Sequence, residues 1–455
     1  WDAALGTDGG GNIDADPLFR NAAAGNLHLL SYSPAMDAGN SALLPADSAD
    51  LDGDGNTAEP IPHDIDGENR VLYDTVDMGA DEVLIRIWYV DDDGDPVNNC
   101  TSWADACPDL RDVLNHALNG DEVWVAAGTY RPGTSGSRSL TFELKDGVGV
   151  YGGFAGTETD RKQRDPAVNL SLLSGDLDDS GSLNDNDAYH VVDGSGVGGY
   201  TVLDGFTISG GNANGSFAYS HGGGLYILDG SPVLTDLIFS GNFGAGGGGL
   251  YAEGSGTPTI TDILFTGNDA QFGGGIYNAA GSLPTLANLT FSGNSATYGG
   301  GLYVDDSSPT LTNAAFWDNS ASSHGGGIFV NEGSPTLINV TVSGNSATNY
   351  GGGIYNQRST PTVVNSIVWG NSASTSPTMY NDVESTPTIS YSDIQGSGGS
   401  GTGWDTGLGT DGGGNLDAAP RLVDATNGDL RLTHHSPAID VGNSLSVNTS
   451  TDLVD

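Results

Sequence analysis

The residues best suited to chemistry are acidic and closely spaced. Asp50, Asp52, Asp54 and Asn56 alternate along DLDGDGN, so their oxygens can converge on one hard cation while Gly55 permits the turn. Ile61 stands where such a loop would place its bidentate Glu, and Asp64, Asp66 and Glu68 just beyond are the nearest substitutes. A second set comprises Asp176, Asp178, Asp179, Asp185 and Asp187. Both sets predict bound Ca2+, the alternative at each being a solvated acidic turn.

Catalytic constellations are harder to find. Between residues 205 and 395 the only Lys or Arg is Arg358. His221 and His324 occupy a repeat position that holds Phe272, Tyr298 or Tyr350 in other copies, so they read as repeat variants and not as bases. Asp305 and Asp306 fall in turns with no basic partner in sequence. Arg161, Lys162 and Arg164 share the insertion 155–168, which is either a substrate-binding loop or a solvated loop paired with nearby acids. There is no G-x-S-x-G, phosphate loop or zinc motif. The expectation is a protein that is not an enzyme and has no catalytic residue.

A short repeat must position these groups. From about 222 to 395 a Gly-Gly-Gly-aliphatic junction recurs at Leu225, Leu250, Ile276, Leu302, Ile328 and Ile354, with spacings of 25 or 26. Pro232, Pro258, Pro284, Pro309, Pro335, Pro361 and Pro387 keep the same beat. No copy has room for a helix, and each has three short β-prone runs between Gly, Asn, Pro and Ser. The prediction is an all-β fold, a right-handed parallel β-helix solenoid of about 26 residues per coil. Inward columns should run through Leu234, Ile260, Leu286, Leu311 and Leu337, and through Phe239, Phe265, Phe291 and Phe316. Asn242, Asn268, Asn294, Asn319, Asn345 and Asn371 predict a structural ladder, since an amide can donate to one copy and accept from the next. A second polar column runs Asp236, Asp262, Asn288, Asn313, Asn339 and Asn365. Tyr226, Tyr251, Tyr277, Tyr303 and Tyr355 follow the inward aliphatics by one residue, which predicts an outward column that either contacts sugar rings or a neighbouring surface as an exposed stripe, or stabilises the sheet by aromatic stacking alone.

A longer period encloses the short one. WDAALGTDGGGNIDADPLF at residue 1 returns as WDTGLGTDGGGNLDAAPRL at 404, an offset of 403, so the sequence reads as one unit of about 403 residues plus an overlap into the next. Residues 1–83 read as the closing segment of a preceding unit, 84–130 as a connection and helical N-terminal cap, and 131–221 as irregular coils with insertions. Residues 222–395 are the regular coils and 396–455 a second closing segment. PDLRDVLNHAL at 108–118 has helical spacing, and GSGGSGTG at 396–403 reads as a flexible connector. Cys100 and Cys107 predict a local disulfide in an exported protein, with free thiols the alternative.

The 58 acidic and 13 basic side chains give a formal charge of −45, which argues against nucleic acid as a partner. No run of 18 apolar residues predicts membrane insertion. The GGG-I/L-Y and F-x-G-N-S-A copies resemble the repeats of polymorphic outer-membrane proteins, and TSWADACPDLRDVL, VYGGFAGTET and SPAMDAGN resemble segments of large secreted bacterial β-helix proteins. That resemblance implies an extracellular or cell-surface location and adhesin, surface-layer or matrix roles. The leading expectation is a non-enzymatic structural protein whose units join end to end in a fibre or filament, adhesive to polysaccharide or a neighbouring cell and stabilised by calcium. The alternative is a carbohydrate-binding or polysaccharide-degrading, pectate-lyase-like β-helix protein.

Overall fold

The computed structural model describes residues 86–444 continuously and, before them, residues 12–15, 17, 19–21, 26–29, 33–35, 38–48, 51, 56, 59–64, 70 and 76–79. The chain forms two compact units, Trp1–Ile87 with Leu118–Glu122, and Trp88–Ala117 with Val123–Asp455. In the first, Phe19–Asn21 pairs antiparallel with Asn26–Leu29, and Leu29 and Ala35 form a small core with Phe19 and Met78.

The second unit is a parallel β-helix. Among the described residues its strands make three sheets of 17, 9 and 6 members. In the largest, Val233–Ser240, Thr259–Thr266, Thr285–Ser292, Thr310–Trp317 and Thr336–Ser343 stack in parallel register. Each of these strands turns a corner in its middle. Asp236, Asp262, Asn288, Asn313 and Asn339 stand there with φ between 50° and 57°, a left-handed conformation that Asn and Asp tolerate better than other non-Gly residues. That corner explains the second polar column. It lies on the outside, where Asn288 Nδ2 donates to Asp262 Oδ1 (3.0 Å) and Asn339 Nδ2 to Asn313 Oδ1 (3.0 Å).

Two columns fill the interior. Leu234, Ile260, Leu286 and Leu311 are fully buried, as are Phe239, Phe265, Phe291 and Phe316, whose rings stack at 4.9, 5.0 and 4.4 Å. The Asn ladder is buried beside them. Asn268 Nδ2 donates both to Asn294 Oδ1 (3.0 Å) and to Phe239 O (2.9 Å), and Asn242, Asn294, Asn319 and Asn345 repeat the pattern. Amides that are satisfied on every side can be buried without the penalty of an orphaned polar group.

The helix predicted at 108–118 runs over Leu110–His116, with Asp109 accepting from the Asp112 N–H as its N-cap. Leu110, Val113 and Leu114 join the core, whereas Leu118, expected on the apolar face, lies beyond the helix end and is exposed. Cys100 and Cys107 are joined in a disulfide. The insertion basics are engaged: Arg164 pairs with Asp204 at 2.6 Å and Arg161 lies over the Tyr151 ring.

Past residue 395 the expectation needs correcting, because the coil stack continues. Thr410–Asp411 pairs with Thr388–Ile389, and Asn415 extends the column of Ser366 and Ser392, accepting from the Ser392 N–H as Ser392 does from Ser366, while donating to Ile389 O. GSGGSGTG is not a loose connector. Gly396 and Gly398 donate to the Asp417 carboxylate, and Gly401 and Ser400 to that of Asp411. Leu422–Asp424 then pairs antiparallel with Asp429–Leu432, in the register of Phe19–Asn21 with Asn26–Leu29. The 403-residue repeat is thus visible as a repeated hairpin. Among the described residues no helix is long and apolar enough to cross a membrane.

Candidate functional site

The 9-stranded sheet places the outward tyrosines. Leu225–Leu228, Leu250–Glu253, Ile276–Asn278, Leu302–Asp305, Ile328–Asn331 and Ile354–Gln357 stack in register, so Tyr226, Tyr251, Tyr277, Tyr303, Phe329 and Tyr355 form one column. The column faces outward, and of the two expectations it is the stacked column and not the exposed stripe. A second ring column, including Phe272, Tyr298, His324 and Tyr350, leans on it, and Tyr251, Tyr303, Phe329 and Tyr355 keep between 3% and 9% of their surface. Stacking between rings on neighbouring coils removes the area that a ligand would otherwise cover.

What remains accessible is the carboxyl end of these strands. Asp305 and Asn331 are strand-end partners on adjacent coils. The next residues, Asp306, Glu332 and Arg358, adopt positive φ and turn their side chains from one shared edge. One network results. The Tyr277 hydroxyl donates to Asp305 Oδ2 (2.7 Å), Asn331 Nδ2 donates to Asp305 Oδ1 (2.6 Å), and Arg358 reaches Asn331 Oδ1 (3.5 Å) while pairing with Glu332. Arg358 and Glu332 keep 48% and 43% of their side-chain surface, so both remain open to a ligand. Burial, reinforced by the hydrogen bond to Asp305, pushes the Tyr277 hydroxyl far above its ordinary range, and Tyr251, bonded to Glu253, behaves the same way. These hydroxyls are therefore permanent donors and not bases.

Asp305 was expected to lack a basic partner. The structure links it to Arg358 through Asn331, two coils away in sequence and two hydrogen bonds away in space. Asn331 and Glu332 were missed altogether. Their signal was the beat itself, since Asp306, Glu332 and Arg358 are spaced by 26.

A second aromatic platform lies on the largest sheet. Trp317 and Trp369 share a register column with Ser343 between them, so they stand two rungs apart, about 9.6 Å at the usual strand spacing. With Arg421, Leu422 and Thr426 they line a cleft of about 430 Å³. Gly428 packs against Trp317 so closely that a Cβ there would stand 2.6 Å from the indole.

The first predicted metal loop is largely outside the described residues: Asp50, Asp52, Asp54 and Asp66 are among those not described. Asn56 donates to the Glu59 carboxylate (2.8 Å). In the second set, Asp176, Asp178 and Asp187 do converge, each offering an oxygen within 4.8 Å of the others. Asp179 and Asp185 point instead to Arg131 (2.5 Å) and Arg138 (4.0 Å).

Residues 192–368 match the family model of the right handed beta helix region, and the coil is that of a right-handed parallel β-helix. No curated protein matches the sequence significantly. Among solved structures, the chain is similar to pectate lyase Pel9A, with a TM-score of 0.50 and 15% identity over 79% of this chain and 92% of that one. It is also similar to the A-module of mannuronan C-5 epimerase AlgE4 of Azotobacter vinelandii (TM-score 0.33, 15% identity, 72% and 94% covered). A third is tailspike protein 2 of Escherichia coli O157:H7 bacteriophage CAB120 (TM-score 0.32, 10% identity, 62% and 40% covered). The expectation that the chain is not an enzyme is overturned here. An enzyme shares its fold over most of its length, so scarcity of basic residues along a β-helix is no ground for setting catalysis aside.

Proposed function

We propose that the protein is an exported, carbohydrate-active β-helix that holds a polysaccharide along the carboxyl edge of the 9-stranded sheet and hydrolyses it between Asp305 and Glu332. The observation that carries the reading is the convergence of Tyr277, Asp305, Asn331, Glu332 and Arg358 at one accessible edge. Glycosidic hydrolysis needs a pair of carboxylates, one to hand a proton to the leaving oxygen and one to assist attack at the sugar carbon. Asp305 accepts two hydrogen bonds that fix the direction of its carboxylate, which suits the assisting role. Glu332 takes the acid role: it is partly exposed, and when substrate displaces the Arg358 guanidinium its carboxylate can take a proton from solvent and pass it to the leaving oxygen.

The lane's charge selects the substrate class. Glu253, Asp305, Glu332 and Asp382 lie along it; Arg358 is engaged by Glu332 and by the Asp382 carboxylate at its N–H, and Lys145, just past Phe142–Glu143 on the same sheet, is paired with Glu143. A uronate would meet net repulsion, so a neutral polysaccharide fits better. The Trp317–Trp369 cleft provides a second holding site, where sugar rings stack on indole faces. The disulfide supports an oxidising, extracytoplasmic location.

The test is product analysis. Purified protein is incubated with neutral and uronate-containing polysaccharides, and new reducing ends and unsaturated products are measured. New reducing ends from a neutral glycan, lost in Asp305→Asn and Glu332→Gln, are expected. Unsaturated products surviving in both variants, or no new reducing ends from any glycan, overturn the reading.

A further inference from the structure

Residues 175–188 form a loop with a closed neck, Ala188 N–H donating to Gly175 O at 2.8 Å. Within it three carboxylates are pre-aimed by donors. Asp176 accepts from the Ser180 and Gly181 N–H groups, Asp178 from the side chains of Asn184 and Asn186, and Asp187 Oδ2 from the Asn184 N–H. The loop is then tied to the next coil, Asn212 donating to Asn184 O and Asn214 to the Asp185 carboxylate.

Two features of this arrangement are unbalanced. Three carboxylates lie within 4.8 Å, yet the guanidiniums nearby form their ion pairs elsewhere, Arg131 with Asp179 and Arg138 with Asp185. Arg138 gives its remaining hydrogen bonds to Asp187 O, Asn212 O and the Asn214 side chain. Independently, Asp187 is fully buried and its Oδ1 has no hydrogen-bond partner. A buried carboxylate oxygen without a donor is costly, the more so when charged. Evolution of a loop that spends so many donors on aiming these groups, and none on that oxygen, leaves room for one ligand that is itself positive.

We propose that Asp176, Asp178 and Asp187 bind a calcium ion, and that this ion clamps the loop 175–188 against the coil stack. The donors are all hard oxygens, which excludes soft metals. Calcium places its ligands at roughly 2.3–2.6 Å, so oxygens on one ion lie at most about 5 Å apart, as these three do. Loop carbonyls and water complete the six to eight oxygens that calcium takes. A smaller ion demanding near-ideal octahedral geometry suits a flexible, one-sided set less well. The alternative occupant is a proton: burial raises the Asp187 carboxyl above its ordinary range, with Asp176 and Asp178 adding to the rise and Arg138 opposing it. The two are separable, because adding calcium at fixed pH raises the melting temperature only if the ion itself binds. This inference stands independently of the glycan reading.

The experiment uses the full chain after chelation and dialysis. Calcium binding is counted by titration calorimetry at pH 7, and melting is followed with calcium, with magnesium and with chelator. Asp178→Asn removes one exposed ligand without disturbing the core, and Asp187→Asn removes the buried charge. The expected result is one fewer calcium bound in each variant than in the wild type, with a calcium-induced rise in melting temperature that magnesium does not match and that both variants lose. Equal calcium stoichiometry in all three proteins, or a wild type that melts identically in calcium and chelator, overturns the proposal.

Discussion

Replacing Asn294 with Leu tests what holds the coils in register. The Asn294 side chain accepts from the Asn268 N–H (3.1 Å) and Nδ2 (3.0 Å), and donates to Phe265 O (2.9 Å) and Asn319 Oδ1 (2.9 Å). The Leu variant keeps the volume and removes all four bonds. The Asn268 N–H is orphaned in a site with no access to water, costing about 1–3 kcal/mol, and the other three lost bonds cost about 0.5–1.5 kcal/mol each. Together these give about 3–7 kcal/mol, a large fraction of a typical domain's stability. The control is Asn288→Gly on the exposed column: Gly adopts the left-handed corner freely, so only two surface hydrogen bonds, one to Asp262 and one from Asn313, are lost. Urea unfolding gives the stability difference, and hydrogen exchange locates it. Protection should fall first over 291–320, the coil that carries Asp305. An Asn294→Leu protein within about 1 kcal/mol of wild type, or indistinguishable from Asn288→Gly, would refute the reasoning that the ladder is a buried, fully satisfied network.

Three further outcomes follow from particular contacts. Tyr277→Phe removes a charge-assisted donor from Asp305 and leaves the ring in its edge-on contacts with Tyr251 and Tyr303, so turnover on a responsive glycan should fall about tenfold, as loss of roughly 1.5 kcal/mol predicts, with melting nearly unchanged. Asp393 is buried, with one oxygen accepting from the Ala418 N–H and Asp417 nearby; burial first, then Asp417, raises its carboxyl pKa. The folded state thus holds that proton more tightly than the unfolded chain. Its stabilisation is complete below the ordinary carboxylate range and is lost as pH rises through the raised value, so a melting curve against pH should slope down there, and Asp393→Asn should remove the slope. Reducing the Cys100–Cys107 disulfide opens a loop of sequence separation 7, and the chain-entropy relation gives a cost of about 2.5 kcal/mol, measurable as a lower urea midpoint with and without reductant.

The coil was legible because every layer of it repeats. Phe239, Phe265, Phe291 and Phe316 must stack if the period holds, and Asn242 to Asn371 can be buried only if each amide meets the next. The site was less legible, for two physical reasons. The Tyr column was placed on the correct face, but its exposure depended on a second ring column, Phe272, Tyr298, His324 and Tyr350, whose approach is set by how the coil folds back on itself. Asp305 looked unpartnered because its partners lie on higher coils, Asn331 at 26 residues and Arg358 one coil beyond that. In a solenoid, neighbours in space are a full period apart in sequence, so a search for nearby residues misses them. The Gly/Ser stretch at 396–403 misled for a related reason: its order comes from Asp411 and Asp417, which follow it by ten residues or more.

The most direct test of the central claim is where a glycan sits. Crystals of the Asp305→Asn protein soaked with an oligosaccharide of a polymer that the wild type cleaves should show the sugar across Tyr277, Glu332 and Arg358, with a glycosidic oxygen within hydrogen-bond distance of Glu332 or residue 305. Sugar bound only in the Trp317–Trp369 cleft or elsewhere, with this edge left to solvent, would contradict it.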